Sequence, residues 1–244
     1  MTAIAPSRPA ADATPITIAQ AMGTWSAAWI VGTLVAAPAM IALLGASLGD
    51  DLTIPQLSAA SAATWAVMIA ALVVASRRFG TGDPVADYAA TFRPIDLVGI
   101  PLGVATQLAF VPVLYLPLRA WWPDTFSDER IEERAQDLAD RAGGWLTVLL
   151  VVVVVVGAPL VEEFVYRGLL QRSVTSTIGA GFGLVSTSLW FALVHFSPVE
   201  YPGLLLAGIV FGGCVVLTGR IGPAIVTHAA FNAAGLVVVL QSTG

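Results

Sequence analysis

The sequence predicts an all-α polytopic membrane protein, a bundle of about seven transmembrane helices, and two observations carry that prediction. Of 244 residues, 57% are hydrophobic and only 11% are charged, with a mean hydropathy of +0.84, well outside the composition of soluble domains. The apolar residues also come in long unbroken blocks such as 146–160, unlike the alternating segments of about 10 residues that build an outer-membrane barrel. A helix needs about 20 apolar residues to cross a hydrocarbon core roughly 30 Å thick, and it satisfies its own backbone on the way. The valine run at 151–156 is β-prone in water, but its length and lack of turn residues favour a buried helix.

Residues 1–20, rich in Ala, Pro and Thr, read as a disordered tail. The block at 21–48 is too long for a signal-peptide core and is followed by no cleavage site, so it is expected to be a retained helix, with Trp25 and Trp29 anchoring one end. Further spans are expected at 59–76, closed by Arg77 and Arg78, and at 97–118, where Pro101, Pro112 and Pro117 should kink the helix or shorten its regular part. The acidic segment 123–144 predicts a short surface helix, capped by Thr125 with Asp128, either a substrate or lid element or, as such charge runs more commonly are, a solvated connector. Four more spans follow, at 145–172, 182–196, 203–218 and 223–240, giving an N-terminal membrane region over 21–144 and a second over 145–240. Gly208 and Gly212 form a small-xxx-small spacing that lets two helices pack closely.

The net charge of −5 comes mostly from the acidic segment, and no basic patch suited to nucleic acid appears. All 11 cationic residues are arginine. Arg8, Arg77, Arg78, Arg93, Arg167, Arg172 and Arg220 fall on one side of the membrane, and Arg119, Arg130, Arg134 and Arg141 on the other, which puts the N-terminus in the cytoplasm of a multi-pass protein of the cell membrane. The single Cys214 can close no intrachain disulfide and reads as a packing residue.

Ionisable residues inside spanning helices are costly and mark functional sites by default. Here they concentrate late in the chain: Glu162, Glu163 and Arg167 on the fourth span, His195 on the fifth, and His228 with Asn232 on the seventh. Glu163 and Arg167, four apart, can pair as a structural brace. Glu162 points about 100° away and lacks that partner, so it is the better candidate for chemistry. His228 and Asn232 face the same way one turn apart. If the chain turns at 178–181, Glu162 and His195 each lie about 25 Å from the bend and can meet at one level. His228 can join them only if that hairpin projects past the turn at 219–222, which would set the site in the cytoplasmic half of the membrane.

Glu162-Glu163-Phe164-Val165-Tyr166-Arg167, Phe191-Ala192-Leu193-Val194-His195 and His228-Ala229-Ala230-Phe231-Asn232 resemble, in order, the EExxxR, FxxxH and HxxxN motifs of the CPBP family. This is the CAAX prenyl endopeptidase and bacteriocin-processing family of intramembrane proteases, also called Abi. The resemblance covers roughly 145–240 and implies a catalytic core there that hydrolyses a peptide bond of a membrane-anchored or prenylated substrate. It implies Glu162 as general base, His195 orienting or deprotonating water, and His228 with Asn232 donating to the oxyanion. A second assignment makes His195, His228 and Glu162 the ligands of a catalytic zinc. The family's metalloprotease label favours the metal, but the sequence has no HExxH helix to match it. The rival readings are a proton-coupled transporter, against which no internal repeat is evident, and a non-catalytic scaffold or immunity protein.

Overall fold

A computed structural model describes residues 16–47 and 49–242; most of the expected tail, residues 1–15, lies outside them. Six helices are long and apolar enough to cross a bilayer: α1 (Ile18–Leu43), α2 (Ile54–Phe79), α3 (Pro94–Trp121), α5 (Trp145–Ile178), α7 (Tyr201–Thr218) and α8 (Gly222–Gln241). Between them lie the acidic helix α4 (Asp128–Asp140) and the shorter apolar α6 (Ala180–Leu193). The described residues contain no strand, so the all-helical bundle follows as the composition required, and the chain is a multi-pass integral membrane protein. Helices α1 and α2 start three to five residues earlier than apolarity suggests, because Thr17 with Gln20 and Thr53 with Gln56 form capping boxes ahead of the apolar blocks.

Three spanning helices carry a π-type segment immediately before a proline: Gly32–Ala36 before Pro38, Thr106–Phe110 before Pro112 and Val152–Gly157 before Pro159. A proline ring clashes with the carbonyl four residues earlier and offers no N–H. Widening the turn relieves the clash, so Pro112 leaves α3 continuous. A fourth π segment, Phe164–Gln171, precedes no proline and runs directly on from the paired glutamates.

The chain alternates between two ends of the bundle. The near end, where α1 begins, is stitched by Arg220 to Asp96 at 2.7 Å, by the Ile221 N–H to the Ala89 carbonyl, and by Arg172 to the Asp87 carbonyl. The far end holds α4. There the Arg141 guanidinium donates to Asp137 and to the Leu52 carbonyl, and the Tyr115 hydroxyl donates to the Val199 carbonyl at 2.7 Å. Arg167 is buried in the bundle and belongs to neither end. The arginine asymmetry therefore shrinks to Arg77, Arg78, Arg93, Arg172 and Arg220 against Arg119, Arg130, Arg134 and Arg141 among the described residues.

Close approach is bought with glycine at two seams. A Cβ on Gly208 would stand 3.0 Å from Ser188 of α6, and one on Gly212 would stand 2.6 Å from Gln171 of α5, so the expected spacing does bring helices together. A second pair, Gly99 and Gly103, seats α3 on α8: a Cβ on Gly103 would lie 2.2 Å from the Thr227 carbonyl. Two expectations are corrected. Trp25 is buried against Trp190 rather than set in an interfacial belt, and α4 is capped by Ser127, whose hydroxyl accepts from the Arg130 N–H, not by Thr125.

Candidate active site

Glu162, His195, His228 and Asn232 all line one open cavity of about 530 Å³ between the helices. His228 sits six residues into α8 and Glu163 fifteen from the end of α5, or roughly 9 and 22 Å at 1.5 Å per residue. Their contact therefore requires the α5–α6 hairpin to project past the α7–α8 turn, as depth arithmetic anticipated. Gly179, at φ +121, makes the tight reversal. The polar end of α5, from Arg172 to Thr177, forms the projection.

Glu163 is the hub beneath the cavity. It is fully buried, and its Oε1 accepts from Arg167 at 3.1 Å and from the Nδ1–H of His228 at 2.8 Å. The expected brace is there, but the glutamate also holds a histidine, a function that local spacing could not reveal because His228 is 65 residues distant. Arg167 donates on to the Gly208 carbonyl and Gln171, one turn later, to the Gly212 carbonyl, so α5 is tied to α7 at both buried glycine carbonyls. The guanidinium also lies 4.7 Å from the Phe191 ring centre and 5.5 Å from that of Phe211, which supplies a polarisable lining for a buried cation.

With its Nδ1 committed, His228 presents Nε2 to Glu162, 3.9 Å from Oε2. The imidazole is stacked on Phe211, with centroids 4.5 Å apart and planes 18° apart, and its edge meets Phe191. Neither Phe211 nor Gln171 carried a signal in the sequence beyond being apolar or polar in a span. Glu162 is a quarter exposed, into the cavity.

His195 falls two residues beyond the end of α6, in a turn rather than on the helix. Its Nδ1 lies 2.6 Å from the Phe191 carbonyl, and since a carbonyl can only accept, Nδ1 carries the proton. Phe196, next along, adopts φ +52, a costly conformation for a residue with a side chain. The loop is held in it by Tyr115, whose hydroxyl donates to Val199 and accepts from the Gly203 N–H.

Asn232 donates from Nδ2 to the Val154 carbonyl at 2.8 Å. The cause is Pro159. The Ala158 N–H has shifted to Val153, and the next donor along the π turn would be the proline, which has none. One amide hydrogen of Asn232 thus satisfies an orphaned carbonyl and the other remains for the cavity.

The cavity extends from these residues toward the far end, where Tyr115, Glu200, and Ile131 and Leu138 of α4 line it. Toward the near end the bundle is closed by buried Ile221, Ala224 and Thr227. The acidic helix is therefore a roof for the cavity rather than a solvated connector, and the open side of the site faces the far end. Among the described residues no three His, Cys, Asp or Glu side chains converge to hold a metal ion.

Residues 144–234 match the Rce1-like family model, that of type II CAAX prenyl endopeptidases. No curated protein and no solved structure gives a match. The matched segment holds α5 to α8 up to Asn232, and so every residue of the proposed catalytic set. Over that segment this multi-pass membrane protein is similar to the type II CAAX prenyl endopeptidases.

Proposed function

We propose that the chain is an intramembrane endopeptidase that hydrolyses a peptide bond of a membrane-associated or lipid-anchored, including prenylated, protein. The observation that carries this reading is the apposition of Glu162 and His228 at 3.9 Å on the wall of a cavity, over a buried Glu163–Arg167 pair. The Glu162 carboxylate takes a proton from a water whose oxygen attacks the substrate carbonyl. His195, with Nδ1–H fixed on Phe191, offers its Nε2 lone pair to orient that water. The remaining amide hydrogen of Asn232 donates to the oxyanion, as does the Nε2–H of His228 after a proton from solvent has been taken up there. Glu163 holds the ring through Nδ1. Glu162 then delivers its proton to the leaving nitrogen as the C–N bond breaks. Because Glu162, His195 and His228 do not converge on one ion position, no step is routed through zinc.

The test compares purified wild type and Glu162→Ala in liposomes containing a membrane-anchored peptide library, with and without chelator. Cleavage by wild type, a loss of at least about 10²-fold in the variant and insensitivity to chelator are expected. Equal cleavage by both proteins overturns the reading, and loss with chelator assigns the water to a metal. Proton-coupled uptake without cleavage by the same liposomes would make the chain a transporter.

A further inference from the structure

The α3 wall of the cavity carries an amide that the hydrolytic chemistry leaves unused. Gln107 lies in the π segment of α3, inside a helix that crosses the bilayer, where a polar side chain is costly unless it serves a purpose. It lines the cavity, and it makes no hydrogen bond to any described residue. The neighbouring polar group on the same helix, the Tyr115 hydroxyl, is spent on Val199 and Gly203. Across from Gln107 stands Gly235 of α8, where a Cβ would be 3.2 Å from Nε2, tighter than ordinary contact. The glycine gives the amide a flat wall to lie against. Gly235 follows Asn232 by three residues and His228 by seven, or about 4.5 and 10 Å along the helix.

We infer that Gln107, backed by Gly235, is a substrate-binding residue that pairs with the backbone of an extended peptide. The inference rests on the protease reading. A glutamine amide offers one acceptor and a pair of donor hydrogens, the complement of one residue's N–H and C=O. At about 3.3 Å per extended residue, a strand leaving the His228–Asn232 end reaches Gln107 about three residues from the scissile bond. The contact recognises backbone and is indifferent to side chain, and it holds a segment that has unwound from helix to enter the cavity. Its contribution is made equally before and during reaction, so it governs KM rather than kcat.

The test is steady-state cleavage of one membrane-anchored peptide, selected from the library by the wild-type protein, by wild type, Gln107→Leu, Gly235→Ala and Glu162→Gln in the same liposomes. Gln107→Leu is expected to raise KM about tenfold with kcat within about twofold. Gly235→Ala, crowding the amide from the other side, is expected to raise KM in the same direction. Methylating the peptide nitrogen about three residues from the cut should raise KM for wild type and add little for Gln107→Leu. If wild type cuts, Glu162→Gln does not, and both Gln107→Leu and Gly235→Ala keep the wild-type KM, this inference is overturned while the protease reading stands. Should Gln107→Leu fail to fold, Gly235→Ala decides in the same way. Equal cutting by wild type and Glu162→Gln overturns both.

Discussion

Each imidazole in the site is pinned through Nδ1, His228 by a buried carboxylate and His195 by a carbonyl, which turns the Nε2 of His228 toward Glu162. With only two histidines in the chain, ring nitrogen NMR resolves them directly. Both neutral rings should show the Nδ1–H tautomer, and Glu163→Gln should disturb His228 alone; an Nε2–H tautomer at His228 would contradict the geometry. Removing Arg167 strands Glu163 without a cation. Arg167→Leu is therefore expected to cost about 3–5 kcal/mol in a denaturation measurement, the usual penalty for breaking a buried pair. The Glu163–Arg167 pair, on which the preference for Glu162 as base rests, was legible from its i,i+4 spacing. The bond from Glu163 to His228 was not, since it is made by tertiary packing between α5 and α8. Gln107 could have been found by the same rule that singled out Glu162, because it too is a polar side chain in an apolar span. The rule weighs charge first, and an uncharged amide passed beneath it.

Among the elements, glycine placement sets how closely α3, α5, α6, α7 and α8 can pack. A Cβ at Gly103 would meet backbone of α8 at 2.2 Å, one at Gly208 would meet α6 at 3.0 Å, and one at Gly23 would meet nothing within 4 Å. Thermal denaturation of the three alanine variants should rank Gly103→Ala as most destabilised and Gly208→Ala as intermediate, by about 1–3 kcal/mol. Gly23→Ala should be stabilised by up to about 1 kcal/mol, as expected for a glycine in a helix interior. Equal effects at the three positions would refute the packing account. The apolar blocks made all seven hydrophobic helices legible, and bilayer thickness dictates the length of the six that are long enough to cross it. Helix starts were misplaced where polar capping residues precede the apolar run, as at Thr17 and Thr53. The π segments were written in Pro38, Pro112 and Pro159, and at Pro112, where a kink or a shortened regular part was expected, a widened turn accommodates the ring. The amphipathic seating of α4 was hidden because its charges outnumber Ile131 and Leu138.

Across the molecule, the near end is closed by short polar contacts and the far end opens as a roofed cavity. Asp87, in the near-end connection between α2 and α3, is buried, which raises its pKa, but hydrogen bonds from Ser76 and Thr81 outweigh this and hold it below the ordinary 3.8. A depressed carboxylate contributes stability that is complete above its unfolded pKa and is lost as pH falls through the folded one. Melting temperature should therefore drop as pH falls below about 4, and Asp87→Asn should flatten that drop; an unchanged acid limb in the variant would rule Asp87 out as its origin. The central claim concerns chemistry at the floor of the far-end cavity. The most direct test is the single-turnover cleavage rate of a membrane-anchored peptide by Glu162→Gln, which keeps the size and polarity of the side chain and removes only its basicity. A folded variant slowed at least about 10²-fold against wild type is the predicted result, and a folded variant cutting at the wild-type rate would contradict the account.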